Sequence, residues 1–262
     1  MSDLVRYELR QPAGLVTINR ADKRNALSRE LIIALTAAFE RAKNDPAARC
    51  VILTGAGTTF CSGMDLSELR KSIESKETAD SVWNDALVLA KLYDLIYTVP
   101  KPTIAAVNGP AVAGGAGLVT VCDLAIAAPE ARFGYPEVHR GLVAAMVMPH
   151  LLRHVGERTA RKLLLTGELI DSSKAADCGL INEVVVADRL VPRALELAKS
   201  LAEGGPQALA ATKALLRQFS RQAVAIDEAA KASAAPRLSD ECRQGLAAFF
   251  DKKPAPWILH EK

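Results

Sequence analysis

The chain has 262 residues, half of them hydrophobic and 24% charged, which fits one large packed domain, or a domain with a small appendage, and excludes disorder as the default. With 33 basic and 30 acidic residues the net charge is +3; this balance gives no argument for nucleic acid, although a local cationic site for a phosphorylated ligand stays open. The five cysteines, Cys50, Cys61, Cys122, Cys178 and Cys242, are widely spaced with no CxxC pair, so they read as small buried thiols rather than zinc or redox ligands.

The opening Met1-Ser2-Asp3 lacks a charged segment followed by an apolar run, and no apolar run reaches the ~18 residues of a membrane span. The expectation is a soluble, cytoplasmic protein without a signal peptide. Leu4 to Leu9 and Leu15 to Asn19 read as a hairpin around Gln11-Pro12-Ala13-Gly14. Ser28 is an N-cap for a helix through Lys43, with Leu31, Leu35, Ala38 and Phe39 on one face, ended by Asp45-Pro46. Cys50 to Thr54 is a buried strand, followed by a loop from Gly55 to Gly63. A polar segment from Ser67 to Asp80 precedes a helix from Ser81 to Tyr97, stopped by Pro100-Lys101-Pro102. Thr103 to Val107 is a strand, Gly115 to Val121 a helix and Asp123 to Ala128 a strand. This alternation argues for an α/β fold with a mainly parallel sheet. From Val143 to Asp251 most segments read as helix, with one strand near Asn182 to Val186. A boundary near residue 200, before Gly204-Gly205-Pro206, divides a core (1–200) from a helical C-terminal subdomain (201–262).

Two glycine turns carry the chemistry. Phe60-Cys61-Ser62-Gly63-Met64-Asp65-Leu66 reads either as an ordinary surface turn or as one that aims the Met64 N–H into a cleft. Val107-Asn108-Gly109 with Ala113-Gly114-Gly115-Ala116-Gly117 opens a helix whose first N–H groups are free. Together the two can hold an oxyanion. Neither G-x-G-x-x-G nor G-x-x-x-x-G-K-[ST] is present, so dinucleotide and P-loop readings fall away. Ser62 lacks the G-x-S-x-G of a nucleophile elbow, because Phe60 stands two residues before it. His150 and His154 share a helix face without an evident third ligand, so no metal is expected. Glu137, in Phe133-Gly134-Tyr135-Pro136-Glu137, is a carboxylate in an apolar setting, where a raised pKa suits proton transfer.

The order of these blocks resembles the enoyl-CoA hydratase/isomerase (crotonase) superfamily. The likeness runs from about Leu4 to Trp257 and includes Ile18-Asn19-Arg20 with Asn25-Ala26-Leu27, both glycine turns, Cys122-Asp123, Phe133 through Gly141, Leu165-Thr166-Gly167 and Ala175 to Asn182. The resemblance implies a crotonase-like spiral of ββα units with a C-terminal α-helical trimerisation region, and assembly as a homotrimer or dimer of trimers. It implies an acyl-CoA thioester as substrate and no separate cofactor, coenzyme A being part of the substrate. The N–H groups of Met64 and Gly114 would hold the thioester oxygen, and Glu137 would be the acid/base. Met64, Asp65, Leu66 and Ser67 would line the ligand path. Arg24-Asn25-Ala26 would lie along the CoA adenine and phosphates, and Lys252 would reach a CoA phosphate of a neighbouring subunit. Nucleic acid and membrane are not expected partners.

One departure matters. Hydratases of this superfamily hold water between two glutamates; the second matches Glu137, and the first falls at Gly117. A single glutamate suits an isomerase that carries one proton from C2 to C4, while relatives resembling methylglutaconyl-CoA hydratases also show glycine there. The expectation is therefore an enoyl-CoA isomerase or hydratase. A decarboxylase using Tyr135 and a non-catalytic acyl-CoA-binding protein are the alternatives. Asp65 and Glu68 are nearby carboxylates, Asp65 reading as support for the turn. Leu69 to Asn84 and Val143 to Met148 would border the acyl group, with Ala144, Ala145, Met146 and Met148 forming an adaptable wall.

Overall fold

The computed structural model describes residues 4–75, 79–140 and 142–220, together with residues 244, 251, 253, 254 and 256. Strands β1 (Val5–Arg10) and β2 (Ala13–Ile18) form the expected antiparallel hairpin. Helix α1 (Arg29–Asn44) starts where the Ser28 hydroxyl accepts the Leu31 N–H at 3.2 Å. Next come β3 (Cys50–Gly55), α2 (Leu66–Glu74), α3 (Ala79–Thr98), β4 (Thr103–Val107), β5 (Ala111–Val112), α4 (Gly114–Thr120), β6 (Leu124–Ala127) and β7 (Arg132–Gly134). The second half holds α5 (Met148–Thr166), β8 (Leu169–Asp171), α6 (Ser172–Asp177), β9 (Glu183–Val184), α7 (Leu190–Ala202) and α8 (Pro206–Phe219).

The main sheet has the order β1-β2-β3-β4-β6-β9, parallel from β2 onward. A small sheet, β5-β7-β8, stands beside it. The central strands are buried on both faces, which is why they read as continuous apolar runs rather than alternating ones. Successive side chains still go opposite ways. Cys50, Ile52, Ile104, Ala106 and Ile126 pack with Leu190, Ala194 and Ala198 of α7. Val51, Leu53, Ala105 and Val107 pack with Leu35 and Phe39 of α1 and with Leu92 and Ile96 of α3.

Several elements depart from the sequence expectation; β5 and β7 were not expected as strands. The polar segment after Ser67 is helical in its first part, as α2. Leu169–Asp171 forms β8, an antiparallel partner of β7, within a stretch expected to be helix. Helix α7 runs to Ala202, past the boundary drawn at residue 200, and α8 follows Gly204-Gly205. Lys213 of α8 pairs with Asp123 at 2.6 Å and donates to the Lys101 carbonyl, tying the start of this region to the sheet. Most of 221–262, including Lys252, lies outside the described residues. Among the described residues no helix is long and apolar enough to cross a membrane.

Candidate active site

Both glycine turns leave the C-terminal ends of neighbouring parallel strands, β3 and β4, where open α/β sheets form their clefts. They are stitched together before they turn. Asn108 accepts the Gly55 N–H at 3.0 Å and donates to the Gly57 carbonyl at 2.9 Å. The Pro110 carbonyl accepts the N–H groups of Phe60 and Cys61 at 3.1 Å. Gly115 fits because it has no side chain: a Cβ there would lie 2.1 Å from the Cys61 carbonyl oxygen.

The first turn pivots on Gly63, at φ +87, a value that glycine reaches without steric cost. The Gly63 carbonyl accepts the Leu27 N–H at 2.8 Å and the Leu27 carbonyl accepts the Asp65 N–H at 3.0 Å, so the intervening Met64 N–H points away from this ladder. The second turn passes through Ala113 at φ 53, an uncommon conformation for alanine that is held by its N–H bond to the Gly134 carbonyl at 2.8 Å. Gly114 is the first residue of α4, so its N–H has no intrahelical acceptor. The turns touch: a Cβ on Gly63 would lie 3.3 Å from the Gly114 nitrogen. Two backbone donors thus stand side by side at a helix N-terminus.

Met64, Gly114, Glu137 and Leu66 all line one cavity of about 200 Å³. Ser62, Leu89, Tyr93 and Leu142 to Val147 are also among its lining residues, which are largely apolar. Glu137 enters from a 3-10 turn, Pro136–Arg140, that follows β7; its carbonyl accepts the Leu142 N–H at 3.0 Å. A second apolar cavity of about 340 Å³ adjoins the first through Met64, Leu89 and Met146, and is bordered by Leu69 and Val88. Ala144, Ala145 and Met146 form the expected wall; Met148 is not among the lining residues of either cavity.

Asp65 and Glu68 border the second cavity, and the other expected residues lie around the first turn or in the core. Asp65 is buried and takes a 2.7 Å ion pair from Arg20 while accepting the Ser67 hydroxyl and its N–H, the latter at 3.0 Å. The Ser67 hydrogen bond and the Arg20 guanidinium hold its carboxyl down to about 2. It is therefore a cap for α2 and a brace for the turn, not a second acid/base. Glu68 accepts the Arg29 N–H at 3.0 Å and lies by the second cavity, so it does not replace a carboxylate at 117. Arg24 is exposed at φ 52, and its carbonyl accepts the Ser62 N–H at 3.1 Å; Ala26 is buried, its carbonyl held by Arg20 at 2.9 Å. This block is thereby fixed against the first turn. Tyr135 is fully buried in the core and is not among the residues that line the cavity. His154 bonds the Thr120 carbonyl at 2.9 Å while His150 meets the edge of Tyr97, and no cluster of three potential metal ligands occurs among the described residues.

Sequence reasoning missed Tyr93. It lies on the apolar face of α3 with Leu89, Leu92 and Ile96, the spacing of an ordinary core residue. Its hydroxyl was the available signal, since a buried phenol needs a partner. It donates to the Gly114 carbonyl at 2.8 Å.

Comparisons with known proteins give the family and the fold. The family model for enoyl-CoA hydratase/isomerase matches residues 9–259, and the chain belongs to that family. A Thermus thermophilus protein of the same family is 41% identical over 245 residues, covering 92% of this chain and 95% of its own. Enoyl-CoA hydratase EchA19 of Mycobacterium tuberculosis is 36% identical, covering 91% of this chain and 90% of its own. The crystal structure of an enoyl-CoA hydratase from Shewanella pealeana superposes with a TM-score of 0.92 at 31% identity, covering 97% of this chain and 96% of that one. The fold is the crotonase fold, and the chain is an enzyme of the hydratase/isomerase type acting on acyl-CoA thioesters.

Proposed function

We propose that this enzyme adds water to a 2-enoyl-CoA, with the Met64 and Gly114 N–H groups binding the thioester oxygen and Glu137 as the sole carboxylate moving the proton. The observation that carries this reading is that the two donors and Glu137 line one mainly apolar cavity of about 200 Å³. As the C2=C3 bond is attacked, negative charge collects on the thioester oxygen. Fixed donors in an apolar site stabilise that charge by about 3 kcal/mol each. The names of the relatives favour hydration. Coenzyme A enters with the substrate, and no separate cofactor is needed. Cytoplasmic location and assembly as a trimer or dimer of trimers belong to the same proposal.

A second reading, migration of the double bond from C3 to C2, is favoured by Gly117, which leaves one carboxylate to carry one proton. Purified protein incubated with 2-enoyl- and 3-enoyl-CoA esters in heavy water, with products read by mass, separates the two. Added water supports hydration. Deuterium at C2 with migration and no added water supports isomerisation alone. Binding with neither would overturn both.

A further inference from the structure

A side chain at 117 would have nowhere to go. A Cβ there would lie 2.4 Å from Val147 Cγ1 and 2.7 Å from the Tyr93 hydroxyl oxygen. The place where the superfamily's first glutamate would begin is thus filled by a methyl group of Val147 and by a phenol from another helix. We propose that the Tyr93 hydroxyl replaces that carboxylate as the group that holds the reacting water, while Glu137 alone transfers the proton. This inference rests on the acyl-CoA reading above.

Three observations support it. Tyr93, Gly114 and Glu137 line the same cavity, although Tyr93 is only 2% exposed. The phenol proton is committed to the Gly114 carbonyl at 2.8 Å, which leaves the oxygen lone pairs as acceptors. Finally, burial pushes the phenol well above its usual range, and the charge of Glu137 adds to that push, so Tyr93 stays neutral. A neutral phenol with its proton engaged orients water without deprotonating it.

The resulting step balances. Water oxygen bonds to C3, and the C2=C3 electron pair moves toward the thioester oxygen held by Met64 and Gly114. Glu137 takes one water proton and returns it to C2. The other water hydrogen, bonded to Tyr93 during attack, remains on the new hydroxyl. Migration of a double bond uses Glu137 and the backbone donors but no water, so Tyr93 separates the two reactions.

The test is Tyr93→Phe in the full chain, with trans-2-hexenoyl-CoA and trans-3-hexenoyl-CoA as probes. Hydration should fall about a hundredfold, and migration with C2 deuteration should stay within about threefold. Equal losses in both would mean that Tyr93 only props the Gly114 peptide, and would overturn the proposal. Unchanged hydration, or a parent enzyme that adds no water, would overturn it too. Glu137→Gln, run alongside, reads the parent mechanism separately: if it keeps both reactions, the acid–base reading itself is wrong whatever Tyr93 does. Should Tyr93→Phe fail to fold, 3,5-difluorotyrosine at 93 keeps ring and hydroxyl while weakening the acceptor. Hydration should then drop several-fold with migration unchanged, and no drop would overturn the proposal.

Discussion

The two sides of the cavity are built differently. The side proposed to meet the thioester is backbone: Phe60, Cys61, Gly115 and Ala116 are all buried, and carbonyls and N–H groups of the two turns are bonded to each other. The side proposed to meet the acyl group is side chain and open: Val143 is 73% exposed, and Met64, Leu66 and Leu142 are exposed as well. The difference follows from the chemistry. Charge develops at the same thioester oxygen whatever acyl group is attached, so its donors gain from being fixed. An acyl group that varies in shape is better met by apolar and flexible side chains, methionine among them.

Changes that strike the fixed side should cost far more than changes on the open side. The largest effect is expected from Glu137→Gln, which should lower kcat about a thousandfold with acyl-CoA affinity nearly unchanged; a loss confined to KM would contradict its assignment as the proton carrier. Next comes Gly115→Ala. Its Cβ would meet the Cys61 carbonyl at 2.1 Å, so the turns must part. We expect about 3 kcal/mol of destabilisation by denaturant titration, and about a hundredfold loss of kcat/KM in whatever folds.

Asp65→Asn should be milder, costing about 1–2 kcal/mol, because Arg20 loses its buried partner while the α2 cap is partly kept. The same residue gives a pH signature. Its folded carboxyl lies at about 2, against 3.8 for the ordinary group. A depressed carboxylate stabilises the fold fully above the unfolded value, and that contribution is lost as pH falls from 3.8 through about 2. Asp65→Asn should therefore flatten the fall in melting temperature across that window, and parallel curves for the two proteins would refute the assignment. The smallest effect belongs to the open wall: Val143→Ala should change kcat/KM for a short enoyl-CoA by less than about threefold and alter the ranking among longer acyl chains. A hundredfold loss on every ester would show that this wall is as demanding as the cradle.

Much of this contrast was visible in the chain. The Ser28 cap, the β1–β2 hairpin and the Thr103–Val107 strand are local features, set by capping chemistry, apolar runs and proline stops, and they stand where the pattern put them. Both glycine turns were legible because glycine is needed where backbones approach or φ is positive. Helix α2 was missed because four of its nine residues are charged, yet Asp65 followed three positions later by Glu68 was a readable cap signal. Strand β8 was missed because three residues carry too little periodicity; pairing with β7 decides it.

The sequence by itself therefore determined the family, the two turns that supply the donors, Glu137 and the absence of a carboxylate at 117, since each is written in residue identity and short spacing. Only the tertiary structure decided which side chains occupy the space beside Gly117. Tyr93 and Gly117 are on different helices, and their contact depends on how α3 packs against α4, where a local pattern shows only an apolar helix face with a tyrosine on it. Side-chain contacts across a core are set by the packing of whole elements, which no short window of sequence contains.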